Sequence, residues 1–258
     1  MNRKLLFHAC NGILRMVGLK VVRVGGGVQE PDPITRLLAR GLSTVDYNSR
    51  ENMDSFYSDT NILPSYFTED RLEFYTEVCS RLGRLDIQPG SVLDVGCGSG
   101  HLLAGVKKLW PQATLNGVDF SSKSIELAAR LHPEIAFRQM SIFDLGEMEQ
   151  AFDLVLCTEV LEHLEAADEA LAGLYARCRP GGAVVITVPD GRADTFHGHF
   201  NFWTPESFCR EFRQFGPTVE KSGNYLFIAI RRGSDIESAI SARAKSLPGL
   251  VALEHLRI

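Results

Sequence analysis

The sequence predicts an α/β fold: a doubly wound, mostly parallel seven-stranded sheet with helices on both faces and a C-terminal antiparallel hairpin. Three observations predict it. Short, apolar, β-branched runs alternate with amphipathic stretches from residue 92 onward, the pattern of parallel strands covered on both faces. A glycine-rich turn, Gly96-Cys97-Gly98-Ser99-Gly100, joins the first of those runs to the next stretch. Two late apolar runs meet at Ser222-Gly223, a dipeptide suited to a tight turn.

In chain order, residues 1–29 carry Arg3, Lys4, Arg15, Lys20 and Arg23 and no acid, while Leu6, Cys10, Ile13, Leu14 and Val17 recur at helical spacing. This basic amphipathic segment has two readings. One is peripheral contact with an anionic membrane through residues 1–24; the other, favoured because the apolar stripe is short, is packing on the body or a partner. Gly25-Gly26-Gly27 and Pro31-Asp32-Pro33 read as a hinge. Residues 30–87 form a helical and lid-like region. Within it, 34–68 shows no sustained period, whereas from Thr68 to Leu85 the positions Leu72, Tyr75, Val78, Cys79 and Leu82 recur at three and four behind an N-cap threonine.

The domain expected to carry the chemistry spans 88–232. Its strands are placed at 92–95, 114–119, 135–140, 152–157 and 183–188, and its helices at 99–110, 122–131 and 165–178. A further helix opens at Thr204-Pro205, an N-cap followed by proline at the first helical position. Strands near 217–221 and 224–231 complete the sheet, and the tail 233–258 carries no signal.

Composition excludes several classes. A chain of 258 residues, 45% hydrophobic and 23% charged, suits one globular α/β unit with extensions. Its formal charge of -5 leaves no global footprint for nucleic acid, which is not expected as a partner unless the first 29 residues supply the contacts. Six dispersed cysteines without a C-x-x-C pair fit reduced thiols, not a disulfide framework or a zinc site. His8 and Asn11 interrupt the apolar stretch behind Arg3-Lys4 too early for a signal peptide, and no window reaches the roughly 18 apolar residues of a spanning helix. A cytoplasmic protein, at most peripheral at the inner face of a membrane, is expected.

The glycine turn is the strongest chemical signal. Glycines let a backbone approach a ligand closely, and the amides of the following helix start receive negative oxygen. The spacing is G-x-G-x-G and lacks the dinucleotide fingerprint, which argues against a nicotinamide oxidoreductase. Asp119 ends the second strand, where an acid can accept both ribose hydroxyl protons; it can equally cap the helix that starts near Ser121. Phe120 can cover an adenine.

Taken together, VLDVGCGSG at 92–100, GVDFS at 117–121, FDLVLCTEVLEHL at 152–164 and CRPGGAVVITVP at 178–189 resemble the class I S-adenosylmethionine-dependent methyltransferases over about residues 88–231. The resemblance implies S-adenosylmethionine as cofactor. Asp94 and the loop residues Gly96, Cys97, Gly98 and Gly100 would hold its methionine portion, Asp119 the ribose and the backbone near Cys157 the amine. Ser141 and Ile142 would flank the adenine, although Ser141 stands where many relatives carry an acid.

Glu159-Val160-Leu161-Glu162-His163 follows the fourth strand, at the carboxyl edge where such sheets place reacting groups. The E-x-x-E-H spacing resembles ubiquinone-biosynthesis O-methyltransferases and small-RNA 2'-O-methyltransferases, in which these groups bind a divalent ion. No metal is assigned to this chain; solvated or helix-capping carboxylates are the default. His163 is the leading candidate for a general base, with simple packing as the alternative. His197 and His199, in an aromatic loop with Phe200, Phe202 and Trp203, are the other candidates, and that loop is expected to shape the acceptor pocket.

The acceptor expected is a hydroxyl of a small molecule or glycan. The opening LLFHACNGILRMVGLKVVR is similar to leaders on methyltransferases of bacterial surface-polysaccharide clusters, which suggests a lipid-linked sugar. N-methylation of an amino sugar and a cofactor-binding scaffold without catalysis are the competing readings.

Overall fold

The computed structural model describes residues 23–24, 48–58, 68–196 and 198–233. The helix expected over the basic N-terminal segment lies outside them; Arg23–Val24 forms a two-residue strand, β1, parallel to β7 (Asn201–Phe202). The tail expected beyond residue 233 also lies outside the described residues.

The main sheet contains β2 (Ser91–Val95), β3 (Thr114–Asp119), β4 (Ala136–Gln139), β5 (Phe152–Thr158), β6 (Cys178–Pro189), β8 (Thr218–Ser222) and β9 (Tyr225–Arg231). Their order is β4-β3-β2-β5-β6-β9-β8. The first five are parallel, and β9 runs antiparallel to both β6 and β8. This is the expected doubly wound sheet with its terminal hairpin, and Gly223 at φ 55 makes the turn. β6 begins earlier than 183 because Phe152 pairs with Cys178 before the register jumps to Leu154↔Ala183.

Strand alternation explains the core. Val92, Leu154, Leu156 and Val185 face Phe74, Val78 and Leu82 of α2 (Glu69–Leu82) and Leu102, Leu103 and Val106 of α3 (His101–Leu109). Leu93, Val155, Val184 and Ile186 face the other way, onto α5 (Ala167–Arg177) and α6 (Pro205–Glu211). α4 (Ser122–Leu131) follows β3. Thr68 caps α2 as expected, but its inward face differs from the predicted stripe: Phe74 is buried and Leu72 is 48% exposed.

Within 34–68, where no period was visible, the structure places a nine-residue helix, α1 (Arg50–Ser58). None of its residues is buried, which is why no apolar stripe marks it. It docks through polar contacts: Asp54 Oδ1 accepts from Ser121 Oγ at 2.5 Å and Lys123 N at 3.2 Å, joining α1 to the start of α4. Among the described residues, no helix is long and apolar enough to cross a membrane.

Candidate active site

The donor half of the site grows from the end of β2. Gly96 N and Cys97 N both donate to Val118 O, at 2.8 and 3.0 Å, which folds the turn back over β3. Gly96 has φ 75, and a Cβ there would lie 2.3 Å from Val160 Cγ2. Strain of about 1–2 kcal/mol from the left-handed backbone adds to overpacking of about 1–3 kcal/mol. Gly96→Ala is therefore expected to lower the melting temperature by roughly 5 °C or more, as read by calorimetry.

Asp119, 6% exposed, bridges the turn and α4: Oδ2 accepts from Gly98 N at 3.0 Å and Oδ1 from Ser121 N at 2.9 Å. The helix-start contact leaves lone pairs on each oxygen, so it does not exclude the ribose contact expected of this carboxylate. Asp94 is 1% exposed, and its Oδ1 is buried with no hydrogen-bond partner. Burial, and then the neighbouring Asp119, pushes its carboxyl up to about 7. An unsatisfied buried carboxylate oxygen demands a donor, and the ammonium of a methionine moiety is one, so the donor expected from the sequence fits here.

Around it, Gly100 caps α3 at φ 80 and Phe120 is half-buried beside Asp119. β2 pairs with β5 only as far as Asp94↔Leu156, which leaves the Cys157 backbone opposite the turn. The side chains of Cys97 and Cys157 are buried, and burial drives both thiols well above their ordinary range. Ser141 caps a 3-10 turn, its Oγ accepting from Phe143 N at 3.2 Å, and Ile142 is buried in the core behind it. Gln139 Nε2 donates to Phe120 O at 3.1 Å, a polar contact next to Asp119 with no sign in the sequence.

On the acceptor side, Glu159 has φ 56, a left-handed conformation rare for a residue with a side chain. Its amide donates to Thr187 O and its carboxylate accepts from Thr187 Oγ1, both at 3.0 Å. Glu162 behaves differently from the expected solvated or capping carboxylate. It is 1% exposed and neither of its oxygens has a hydrogen-bond partner. Burial, reinforced by Glu159, drives its carboxyl well upward.

His163 and His199 face it. Residues 198–201 are held down by Phe200 N donating to Glu162 O at 2.7 Å and Asn201 Nδ2 to Leu164 O at 2.7 Å, which brings the imidazoles of His163 and His199 to 4.5 Å between ring centroids. One nitrogen of each ring and a Glu162 oxygen lie within 4.8 Å of one another. His199 Nδ1 contacts Asp194 Oδ2 at 2.5 Å and His163 Nδ1 contacts Asn48 Oδ1 at 2.9 Å. His163 Nε2 lies 3.9 Å from Glu162 Oε1, and two imidazoles oriented by oxygen partners beside a buried carboxylate are a donor set suited to a divalent cation. Burial, then His199, pushes His163 down to about 3, against the weaker pull of the Gly198 carbonyl and Asp194. His163 is placed for either role, neutral ligand or the candidate base. His197 lies outside the described residues.

Beside this cluster opens a pocket of about 400 Å³ lined by Glu159, Pro189, Ala193–Phe196, Asn224 and Tyr225. The loop that opens at Asp190, expected to shape the acceptor pocket, lines it with its first half. Phe200, Phe202 and Trp203 are buried, and Trp203 packs on Phe208 and Phe212 of α6 and its end, while the residues just upstream form the wall. Asn224 and Tyr225 escaped the sequence reading. They reach the pocket because β9 pairs backwards on β6, placing Tyr225 opposite Pro189.

A methyltransferase domain family matches residues 67–222. The ubiquinone biosynthesis O-methyltransferase of Paracidovorax citrulli is 35% identical over 127 residues, covering 45% of this chain and 52% of that protein. The trans-aconitate 2-methyltransferase of Deinococcus radiodurans is 34% identical over 164 residues, covering 63% of this chain and 58% of that protein. The chain spans between a quarter and a little over half of the curated relatives it matches. The N-methyltransferase NodS of Bradyrhizobium japonicum, solved in complex with S-adenosyl-L-homocysteine, has the same fold, with a TM-score of 0.57 at 18% identity over 72% of this chain and 98% of that one.

Proposed function

Because the chain belongs to the methyltransferase domain family, we propose that it transfers the methyl group of S-adenosylmethionine to a hydroxyl of a small molecule or glycan. The carrying observation is that an Asp119-bridged glycine turn and a polar pocket walled by Glu159, Phe196 and Tyr225 meet at one sheet edge. When bound, the donor supplies an activated methyl on a sulfonium sulfur. The remaining catalysis is alignment, exclusion of water and removal of one proton.

The wall favours an uncharged acceptor. Among the described residues its lining holds Glu159 and Asp194 and neither lysine nor arginine, so a carboxylate or phosphate on the acceptor would meet like charge there, offset in part by Arg71, which acts on Glu159 and Tyr225. The aromatic faces of Phe196 and Tyr225 suit a sugar or planar ring. An amino-sugar nitrogen is the second reading, favoured by the same two carboxylates. Glu162, His163 and His199 would hold a divalent cation, whose chemistry is to acidify an acceptor hydroxyl. Glu159 lies in the pocket wall with its carboxyl raised by burial, and is the group placed to take the proton.

Calorimetry with S-adenosylhomocysteine tests the donor reading, and the absence of binding would overturn it. A pH trend is also expected. Asp94 keeps its proton in the native chain up to about pH 7, whereas its ordinary value is 3.8, so the ligand-free protein loses stability as pH rises through that window. The ammonium of the ligand pairs with the ionised form. The thermal stabilisation given by S-adenosylhomocysteine should accordingly grow between pH 5.5 and 8, and a flat profile would remove Asp94 from the ammonium site.

A further inference from the structure

The segment 48–58 touches both halves of the site. At its centre, Asp54 caps α4 next to Asp119. One turn later on the same helix face, the Tyr57 hydroxyl lies 2.6 Å from where a Cβ on Gly98 would stand, directly over the glycine turn. At its start, Asn48 Nδ2 donates to Gly198 O at 2.7 Å, and Asn48 Oδ1 meets His163 Nδ1 at 2.9 Å. Ser49 joins the two parts stiffly, its Oγ accepting from Asn52 N at 3.2 Å and its carbonyl from Met53 N at 3.1 Å.

The bond to Gly198 fixes which end of the Asn48 amide faces the imidazole. Nδ2 is committed to a carbonyl, so Oδ1 is turned to His163, and an oxygen acceptor there requires that Nδ1 carry the hydrogen. The Nε2 lone pair is then left for the cluster with Glu162 and His199. Asp194 does the same for His199, but from within the acceptor loop. Asn48 alone of these two orienting groups comes from the segment that grips the donor turn. None of the residues of α1 is buried, and elements with few buried apolar contacts belong to the low-stability end of a fold.

We propose that Asn48 is a positioning residue: it holds His163 in the Nδ1–H form and, through Asp54 and Tyr57 on the same segment, links the histidine pair to occupation of the donor pocket. The linkage rests on the donor reading given above; the hold on His163 does not. Filling the donor pocket fastens segment 48–58 down, which fixes Asn48 and sharpens the cation-binding geometry. By thermodynamic reciprocity, the cation must tighten donor binding by the same factor.

The test uses the full chain, with Mn2+ as the cation and S-adenosylhomocysteine as the donor-site ligand. Long-range 1H–15N spectra, with His163 assigned through His163→Gln, read the tautomer directly. The expected result is Nδ1–H in the wild type, loss of that preference in Asn48→Ala, and its retention in Asn48→Asp, which keeps an oxygen acceptor at the same place. S-adenosylhomocysteine should tighten Mn2+ binding by about five-fold or more, within the usual range of site-to-site coupling. Asn48→Ala should weaken Mn2+ alone by roughly ten-fold, the typical effect of losing an orienting partner, and reduce the coupling to less than about two-fold. Nε2–H in the wild type, or an unchanged His163 signal in Asn48→Ala, overturns the assignment. Coupling that survives in Asn48→Ala overturns the linkage. A chain that binds no S-adenosylhomocysteine overturns the linkage and the donor reading together, and the tautomer spectra still decide the hold on His163.

Discussion

Asp119→Ala is expected to weaken binding of S-adenosylhomocysteine by about 10²-fold or more. Two charge-assisted hydrogen bonds to a ribose contribute about 1.5–3 kcal/mol each, and about 1.4 kcal/mol is a factor of ten in affinity. The substitution also leaves the Gly98 amide, now held at 3.0 Å by Oδ2, without its partner, so the turn loosens as the ligand contact is lost. Asp119→Asn separates the two effects. It keeps an acceptor for one of the two backbone amides and should hold most of the melting temperature while still losing most of the affinity. Calorimetric titration of both variants beside wild type measures this; affinities within about three-fold of wild type for both would contradict a ribose role, since two lost charge-assisted bonds are worth far more.

The second large effect is at Glu162, where stability and activity are expected to move in opposite directions. A buried carboxyl with two unpartnered oxygens is a liability to the cation-free protein. Glu162→Met removes it at similar volume and should raise the melting temperature of the chelator-treated protein by a few degrees, corresponding to about 1–3 kcal/mol. The same variant should lose Mn2+ binding and slow methyl transfer by about 10²-fold or more, because the cation would have lost its charged ligand. Thermal scans with and without chelator, paired with a methyl-transfer screen, give both readings. A variant that is less stable and fully active would show that Glu162 is a packing residue.

The parts of this molecule that could be read from sequence are those whose signal is local. The β2 strand and its glycine turn, the acid at the end of β3, the Thr204 cap and the Ser222-Gly223 turn each announce themselves within a few residues, through alternation, capping chemistry and turn preference. Helix α1 was invisible because polar groups 67 to 69 residues away hold it, not an apolar stripe. Leu72 and Phe74 exchange roles for a similar reason: the spacing allowed either face, and packing against Tyr225, with rings 4.6 Å apart, chose Phe74.

The histidines were legible as candidates but not as a pair. Their meeting depends on Asn201 reaching back to Leu161 and Leu164, a contact with no mark in the residues around His163. An aspartate five positions before His199 was the available sign that this imidazole is oriented. The buried state of Glu162 had no sequence signal, since E-x-x-E-H reads the same on a wet surface.

The left-handed residue at 159 and the bare backbone at 96 belong to one device. Turning the chain at Glu159 drives Val160 into the space that a side chain on Gly96 would need. The valine abuts the glycine turn while its neighbour Glu159 lines the pocket, so consecutive residues serve the two sides. A bulkier side chain at 160 would press on the turn and a smaller one would leave a void beside it, so the two stretches must change in concert.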